Sequence, residues 1–500
     1  MKARLLRAWP IAASIVLLAA AFPPINLFLL PFVALIPWLV SLRETDRRGA
    51  AKSGYLFGFL YFLFQMFWLI PFVGKWTGNV VLAAIPWILA ASIAGLFYML
   101  AAWLIKICFE MERAWLIPLV WAGIEGFCAY VPGLAFPWGI SALPLWRIPD
   151  FVQHAAFGTI FLVSAWVILA NLILLEIFYP TGGQKSDRHF VWRATIVFLG
   201  LMFMGTSRVV QAPPSKALTV TLAQPGVNMA FTPPDEERRL LDEAAETLTA
   251  GAIAQRSDLI VFPEGFAGGH SQLPPNTILG EEPVLPVMMG GHWYEGEKTF
   301  QSAYLWDGQT WAHADKTRLV IFGEYVPFRD ILPFLKSFNL ASGDLSASSE
   351  LKSPMIAGVR TGPLICFEGV FPDLAAKHSN QGAQVLVQMS IDDWYEGTPA
   401  WDQLWMSSVW RSIESGLPMV RVGARGKTFS TDFRGKIQVA APVGVEIPVK
   451  ADLKVPAAAD GFAWRMAFVW LTWLACIGVG IWGLKSKLDL KGRDRLTSAD

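Results

Sequence analysis

The chain has 500 residues, of which 54% are hydrophobic and 16% charged, with a formal net charge of +1 and a mean hydropathy of +0.42. That is too apolar for a water-soluble protein and fits a polytopic membrane protein with one polar domain. The balanced charge, with no basic run interleaved with aromatics, excludes a nucleic-acid groove, and six scattered histidines with no Cys-x-x-Cys pair argue against a metal site. From the N-terminus, eight apolar runs approach the roughly 20 residues that cross about 30 Å of hydrocarbon. They are 8–22, 25–42, 54–73, 80–106, 114–131, 155–179, 190–207 and 463–484. Phe22-Pro23-Pro24 joins the first two in a tight reversal, since proline cannot continue a helix. Lys2, Arg4 and Arg7 before the first run also fit a cleaved leader, but a second run follows at once and no cleavage site precedes a polar region.

Charge orients these spans. Seventeen lysines and arginines, from Lys2 to Arg495, fall on one set of short loops and tails, against Lys75 and Arg147 on the other. The positive side is cytoplasmic, so both termini lie there and the polar region lies outside. Glu125 in the fifth run is an ionisable group at membrane depth, either a contact for a substrate head group or a group bonded to nearby backbone. Phe136-Pro137-Trp138-Gly139 after it reads as an interfacial aromatic anchor.

The division expected is thus helices one to seven over 1–207, a polar domain over 216–455, span eight over 463–484 and a cytoplasmic tail over 485–500. Within the polar domain, strand-like runs at 218–222, 259–262, 284–289, 302–306, 355–359, 363–367, 385–389 and 419–422 alternate with helical stretches at 234–256, 372–381 and 401–415. That alternation predicts an α/β layered domain.

Chemistry concentrates at strand ends. Glu264 follows Leu259-Ile260-Val261-Phe262-Pro263, Lys316 sits in Asp315-Lys316-Thr317-Arg318, and Cys366 ends Gly362-Pro363-Leu364-Ile365. Cys366 is the one cysteine outside the apolar segments; Cys108, Cys128 and Cys476 lie in or beside them. Taken singly, these three residues read as a loop acid, a surface lysine and a core thiol. Together they supply a general base, a cation for an oxyanion and a soft nucleophile.

Phe262-Pro263-Glu264, then Asp315-Lys316 running into Phe322-Gly323-Glu324-Tyr325-Val326-Pro327, then Ile365-Cys366-Phe367-Glu368 resembles the nitrilase (carbon-nitrogen hydrolase) superfamily. With its spans, the whole chain resembles the bacterial apolipoprotein N-acyltransferase family. Glu125, Asp392, Trp394, Gln403, Arg411, Glu414 and Arg421 fit that pattern; Ile391, Leu404 and Ala424 depart from it. The resemblance implies an αββα sandwich with Glu264 as base, Lys316 as transition-state stabiliser, Cys366 as nucleophile and Glu324, Glu368 and Phe367 in support. It also implies a monomer of the bacterial inner membrane with a periplasmic catalytic domain and no cofactor. Its acyl donor is a phospholipid and its acceptor a diacylglyceryl apolipoprotein. A membrane-bound amidohydrolase, or a diverged paralogue acylating another amine, is the alternative. Finally, Val326–Leu340 crowds apolar residues around two prolines, and its Phe334, Leu335 and Phe338, with Trp394, are expected to guide lipid to the thiol.

Overall fold

The structure, a computed structural model, describes residues 2–180, 188–210, 215–329, 331, 343–457 and 463–497. The first part is helical: α1 (Lys2–Ala20), α2 (Ile36–Glu44), α3 (Arg47–Gln65), α4 (Leu69–Thr77), α5 (Val80–Glu110), α6 (Ile117–Tyr130), α7 (Thr159–Phe178) and α8 (Arg188–Val210). Helices Val80–Glu110, Thr159–Phe178, Arg188–Ser207 and Ala467–Ser486 are long and apolar enough to cross a membrane; α3 and α4, bent by 52°, count as a fifth, broken span if taken together. The eight apolar runs are therefore not eight equal helices.

The run 25–42 departs furthest. Pro31 lies in a 3-10 turn, Leu30–Phe32, and Pro37 in the first turn of α2, which has only nine residues. Proline lacks an N–H and starts elements instead of continuing them. The backbone groups freed by the break find partners inside the bundle. The Asn171 side chain on α7 accepts the Leu35 N–H (2.9 Å) and donates to the Pro31 carbonyl (2.8 Å), and Ser14 accepts the Trp38 N–H (3.1 Å). Irregular backbone in an apolar bundle persists only when it is satisfied this way.

The polar part follows with β1 (Ser215–Gln224), α9 (Pro234–Ala254), β2 (Leu259–Val261), β3 (Gly269–His270), β4 (Val287–Glu295), β5 (Lys298–Trp306) and β6 (Trp311–Asp315). Next come β7 (Met355–Ile356), β8 (Val359–Ile365), α10 (Pro372–Asn380), β9 (Val385–Ser390), α11 (Pro399–Ser415), β10 (Met419–Gly423), β11 (Phe429–Thr431), β12 (Ile437–Ala440) and β13 (Ile447–Pro456). The last helix, α12 (Ala467–Thr497), continues past residue 484. One sheet is ordered β13-β1-β2-β4-β5-β6 with β3 also on β4; the other is β12-β11-β10-β9-β8-β7. The expected strands 355–359 and 363–367 are in fact one hairpin, β7 and β8, turning at Ala357 and Gly358, both at positive φ.

Alternation along the strands builds the layers. Leu218, Val220, Leu222, Leu259 and Val261 of the first sheet pack against Val385, Val387, Met389, Val420 and Val422 of the second. The opposite face of the first sheet, including Ile260, takes Leu241, Ala244, Ala245, Leu248 and Ala252 of α9. The outer face of the second sheet, through Leu364, Leu386 and Met419, takes Leu374 of α10 and Val409 and Ile413 of α11. That apolar cluster runs on without a break into Trp38, Phe57 and Trp121 of the helical part. The sandwich is thus αββα, and α11 is wedged between its second sheet and the bundle.

Candidate active site

Glu264, Lys316 and Cys366 each follow the C-terminal end of a strand: β2, β6 and β8. Within the first sheet β2 is parallel to β4, and β6, two antiparallel steps on through β5, runs the same way; hydrogen bonds of Glu368 and Glu264 tie these ends to the loops after β8 and β9. Glu264 crosses β4 at Gly290, where a Cβ would lie 2.5 Å from the Glu264 Cα, so only glycine admits the crossing. Its Oε2 accepts the Ile391 N–H (2.9 Å), which ties the first sheet's acid to the second sheet.

Lys316 is completely buried. Its Nζ donates to Glu324 Oε1 at 2.6 Å, and Glu324 Oε2 accepts the Val320 N–H (2.9 Å), closing the turn that follows the lysine. Cys366 opens a 3-10 turn, Cys366–Val370, with φ at +51°, a left-handed conformation that a side chain adopts at a cost. Gln388 on β9 holds it by donating to the Cys366 carbonyl (2.7 Å). Glu368 joins the two loops. Its Oε2 accepts the Ile365 N–H (3.0 Å), while Oε1 accepts the Thr317 N–H (2.8 Å), the Thr317 hydroxyl (2.9 Å) and the Arg318 N–H (3.1 Å).

The ionisation states follow from burial among these charges. Burial, helped by Glu324, pushes Glu264 up to about 7, against the pull of Lys316, the Ile391 N–H and a hydrogen bond with the Cys366 thiol. Burial would lower Lys316, but Glu324, Cys366, Glu264 and Glu368 outweigh it and hold the ammonium charged. Burial and then Glu264 push the Cys366 thiol well up, so it rests protonated and needs a base to become a nucleophile. Burial also raises Glu368 against Lys316 and its own N–H partners.

Beyond these, the structure brings in Gln65, Trp68, Phe72 and Tyr395, which the sequence did not single out, and gives partners to Phe136, Trp138 and Gln403, which it did. Phe367 stacks on Phe136 from the loop after α6 (5.4 Å, 24°), and Phe136 stacks in turn on Trp138. Tyr395 stacks on Phe72 of α4 (5.3 Å, 15°) and meets Trp68 edge-on. Gln403 of α11 donates to Gln65 at the end of α3 (3.0 Å). The bundle thus packs directly against the Cys366 turn, the loop after β9 and α11. Trp138 is buried in that seam and donates to the Gln65 carbonyl (3.1 Å), so it is an internal contact and not the interfacial anchor expected. Trp394 meets Phe231 edge-on (5.6 Å), and Lys75 of α4 lies over the same Phe231 ring at 4.4 Å. Phe334, Leu335 and Phe338 lie outside the described residues; Phe328, ahead of them, packs its ring on Gly133 in the loop after α6.

Asp392 accepts from Arg421 (2.5 Å) and Ser390 (2.5 Å) beneath Ile391. Asp393 next to it accepts the Met229 N–H (3.1 Å) and is raised to about 7 by burial and by Asp392. Glu125 accepts from Trp121 Nε1 (2.9 Å) and the Ser141 N–H (2.8 Å), so it pins the loop that carries Phe136 and Trp138.

Residues 14–173 match the family described as apolipoprotein N-acyltransferase N-terminal domain, and residues 219–455 match carbon-nitrogen hydrolase. The chain is similar to an apolipoprotein N-acyltransferase of Geobacter metallireducens, 28% identical over 469 residues and 88% of each chain. A second, from Allorhizobium ampelinum, is 29% identical over 472 residues and 84% of each. Among solved structures, Saccharomyces cerevisiae Nit3, a member of branch 10 of the nitrilase superfamily, matches with a TM-score of 0.38 and 18% identity over 49% of this chain and 92% of its own.

Proposed function

We propose, from the premise that the chain belongs to the apolipoprotein N-acyltransferase family, that it moves an acyl chain from a phospholipid to Cys366. From there the chain passes to the α-amine of the S-diacylglyceryl cysteine that begins a lipoprotein. Glu264 takes the thiol proton as sulfur attacks the ester carbonyl, and the oxyanion that forms faces Lys316 and a backbone N–H. The lysophospholipid oxygen leaves with the proton held on Glu264, and a thioester remains. The neutral amine then attacks that thioester, Glu264 takes the amine proton, and the sulfur leaves and recovers it as a thiol. Glu324 and Glu368 keep Lys316 charged and in register with Cys366.

The observation that carries this reading is the Phe367–Phe136 stack. The residue after Cys366 sits on an aromatic seam built from the helical part, which suits a donor that arrives from a bilayer. A soluble amide would need no such wall. In this reading residues 216–455 are the catalytic domain, periplasmic, and residues 1–207 and 463–484 cross the bacterial inner membrane eight times with both termini cytoplasmic. Eight crossings require that α1, the broken segment 25–42 and α6 each complete a passage, beside the four long helices and the bent α3–α4 pair. The enzyme acts as a monomer.

The test is mass spectrometry of a lipoprotein N-terminus from cells with and without the protein. N-acylated cysteine only in its presence is expected; free amine in both would end the reading. Purified enzyme given phospholipid alone should hold a Cys366 thioester that acceptor peptide discharges. Discharge by water at the same rate would favour the amidohydrolase, and discharge only by an unrelated amine the diverged paralogue. In this reading Phe334, Leu335 and Phe338, outside the described residues, and Trp394 guide the lipid to the thiol. Serine at the three arm positions should slow acylation by phospholipid far more than alkylation of Cys366 by a small soluble reagent, and equal losses would place the arm in the core.

A further inference from the structure

The C-terminal end of α11 holds three polar residues that the chemistry above leaves unused: Arg411, Glu414 and Ser415, all buried. Arg411 Nη1 donates to the carbonyl of Val370 (2.9 Å), the last residue of the turn that begins at Cys366. Its Nε lies 2.9 Å from Glu414 Oε2 in an ion pair at 1% and 2% exposure. The other carboxylate oxygen, Oε1, accepts the Ile160 N–H at 2.7 Å. Ile160 is the second residue of α7, so this acid occupies one of the orphan N–H groups at the start of a membrane-length helix.

The junction has little freedom. Thr159 has φ at +61°, and Gly158 faces Phe468 of α12 so closely that a Cβ would come within 2.9 Å. Arg465, just ahead of α12, donates to the Ser415 carbonyl (2.9 Å). Three elements (the Cys366 turn, the start of α7 and the approach to α12) therefore meet on one turn of α11. A buried ion pair is a poor device for stability alone, since apolar residues of similar volume often serve as well. What fixes geometry is the hydrogen bond each partner makes outside the pair, Arg411 to the Val370 carbonyl and the Ile160 N–H to Glu414.

We propose that Arg411 and Glu414 are positioning residues, which set the Cys366 turn against the start of α7 so that the nucleophile's placement depends on the helical part. The inference rests on the acyl-transfer reading for its kinetic readout. Each residue does one half of the work: Arg411 reaches the turn, Glu414 reaches the helix, and neither contacts the reacting atoms.

The test compares R411K, E414Q, the doubly neutral R411Q/E414Q and the control R43K in full-length enzyme. Thermal unfolding, kcat and KM for thioester formation from phospholipid, and the rate of Cys366 labelling by iodoacetamide are measured on each. R43K disturbs the Arg43–Glu176 pair at the other end of α7. Positioning predicts that R411K and E414Q lose about tenfold to a hundredfold in kcat with KM within about twofold. R411Q/E414Q, which leaves no lone buried charge, should fold and lose no more than the worse single variant, because the pair acts as a unit. R43K should lower the unfolding temperature and leave kcat unchanged. A folded R411K or R411Q/E414Q with wild-type kcat, or an equal kcat loss in R43K, overturns the inference. If wild type forms no thioester, the acyl-transfer reading fails. The labelling rate then decides alone, with slower labelling in the Arg411 and Glu414 variants upholding positioning and unchanged labelling refuting it.

Discussion

Helices α9 and α11 hold equivalent places, each covering the outer face of one sheet, yet they are built on different rules. Only five of the 21 residues of α9 are buried, at the spacing of one helical stripe, and its first turn carries Asp235, Glu236 and Glu237 where the dipole favours them. In α11, thirteen of 17 residues are buried, including ten in succession from Met406 to Ser415. What differs is what lies beyond each helix: water for α9, the helical part for α11. Burial on all sides leaves α11 no solvent for its polar groups, so Ser407 and Ser415 turn back to carbonyls four residues earlier, and its longer side chains bond to neighbours on both sides. A polar residue on α9 is a solvated surface, and the same residue on α11 is a joint.

The comparison orders the expected effects of substitution. The largest fall on the site between the sheets. Cys366→Ala should abolish lipoprotein N-acylation, and Lys316→Met should cost about a hundredfold to a thousandfold in kcat, on the order of 3–4 kcal/mol, by leaving the oxyanion unpaired. Thioester formation measured by intact-protein mass spectrometry checks both, and near-normal turnover in either would remove that residue from the chemistry.

Glu264→Gln separates activity from stability. The wild-type carboxyl rises from 4.5 to about 7 on folding. Folding therefore favours its protonated form, and stability is lost as pH climbs from the unfolded value through the folded one. At about 1.36 kcal/mol per pKa unit that loss reaches roughly 3 kcal/mol above pH 7. The amide carries no such cost, so the inactive variant should melt higher than wild type at pH 8 and lose that advantage below pH 4.5. Wild-type kcat/KM should rise with pH through about 7 as the base ionises. A variant that melts lower at pH 8 would mean that the ionised acid stabilises the site.

Much of the sandwich was legible because its central strands, buried on both faces, are short apolar runs, while α9 exposes one face and shows the 3.6 period. That Glu264, Lys316 and Cys366 stand at strand ends was legible because each lies in a recognisable motif just after a strand-like run. The seam was not. Gln65, Phe72 and Tyr395 lie in segments whose composition reads simply as apolar helix or polar loop, and Phe136 read only as an interfacial anchor; the tertiary contacts of Phe136 with Phe367, Tyr395 with Phe72 and Gln65 with Gln403 give them their roles. The break inside segment 25–42 was not legible, because hydropathy sums residues and ignores where Pro31 and Pro37 interrupt the backbone ladder.

The seam should also answer to milder changes. Phe136→Ala removes one ring of an aromatic pair worth about 1 kcal/mol, so acylation by phospholipid should slow about fivefold. Iodoacetamide labelling of Cys366 should hold its rate, since the thiol's own partners are untouched. Equal slowing in both assays would mean that the stack supports the Cys366 turn instead of the lipid's approach.

The smallest effect belongs to α9. Arg239 and Glu243 form an i,i+4 pair at 59% and 61% exposure, where solvent screens the charges and two long side chains must be ordered to meet. Such pairs contribute about 0.5 kcal/mol or less, and alanine at both positions has better helix propensity than the residues it replaces. Arg239→Ala/Glu243→Ala should therefore leave the unfolding temperature nearly unchanged and kcat and KM at their wild-type values. The paired polar residues of α11, one sandwich face away, differ only in being enclosed. A kinetic loss in the α9 double variant would mean that this face is covered too, by a partner or by the membrane surface, and that its charges are joints like those of α11.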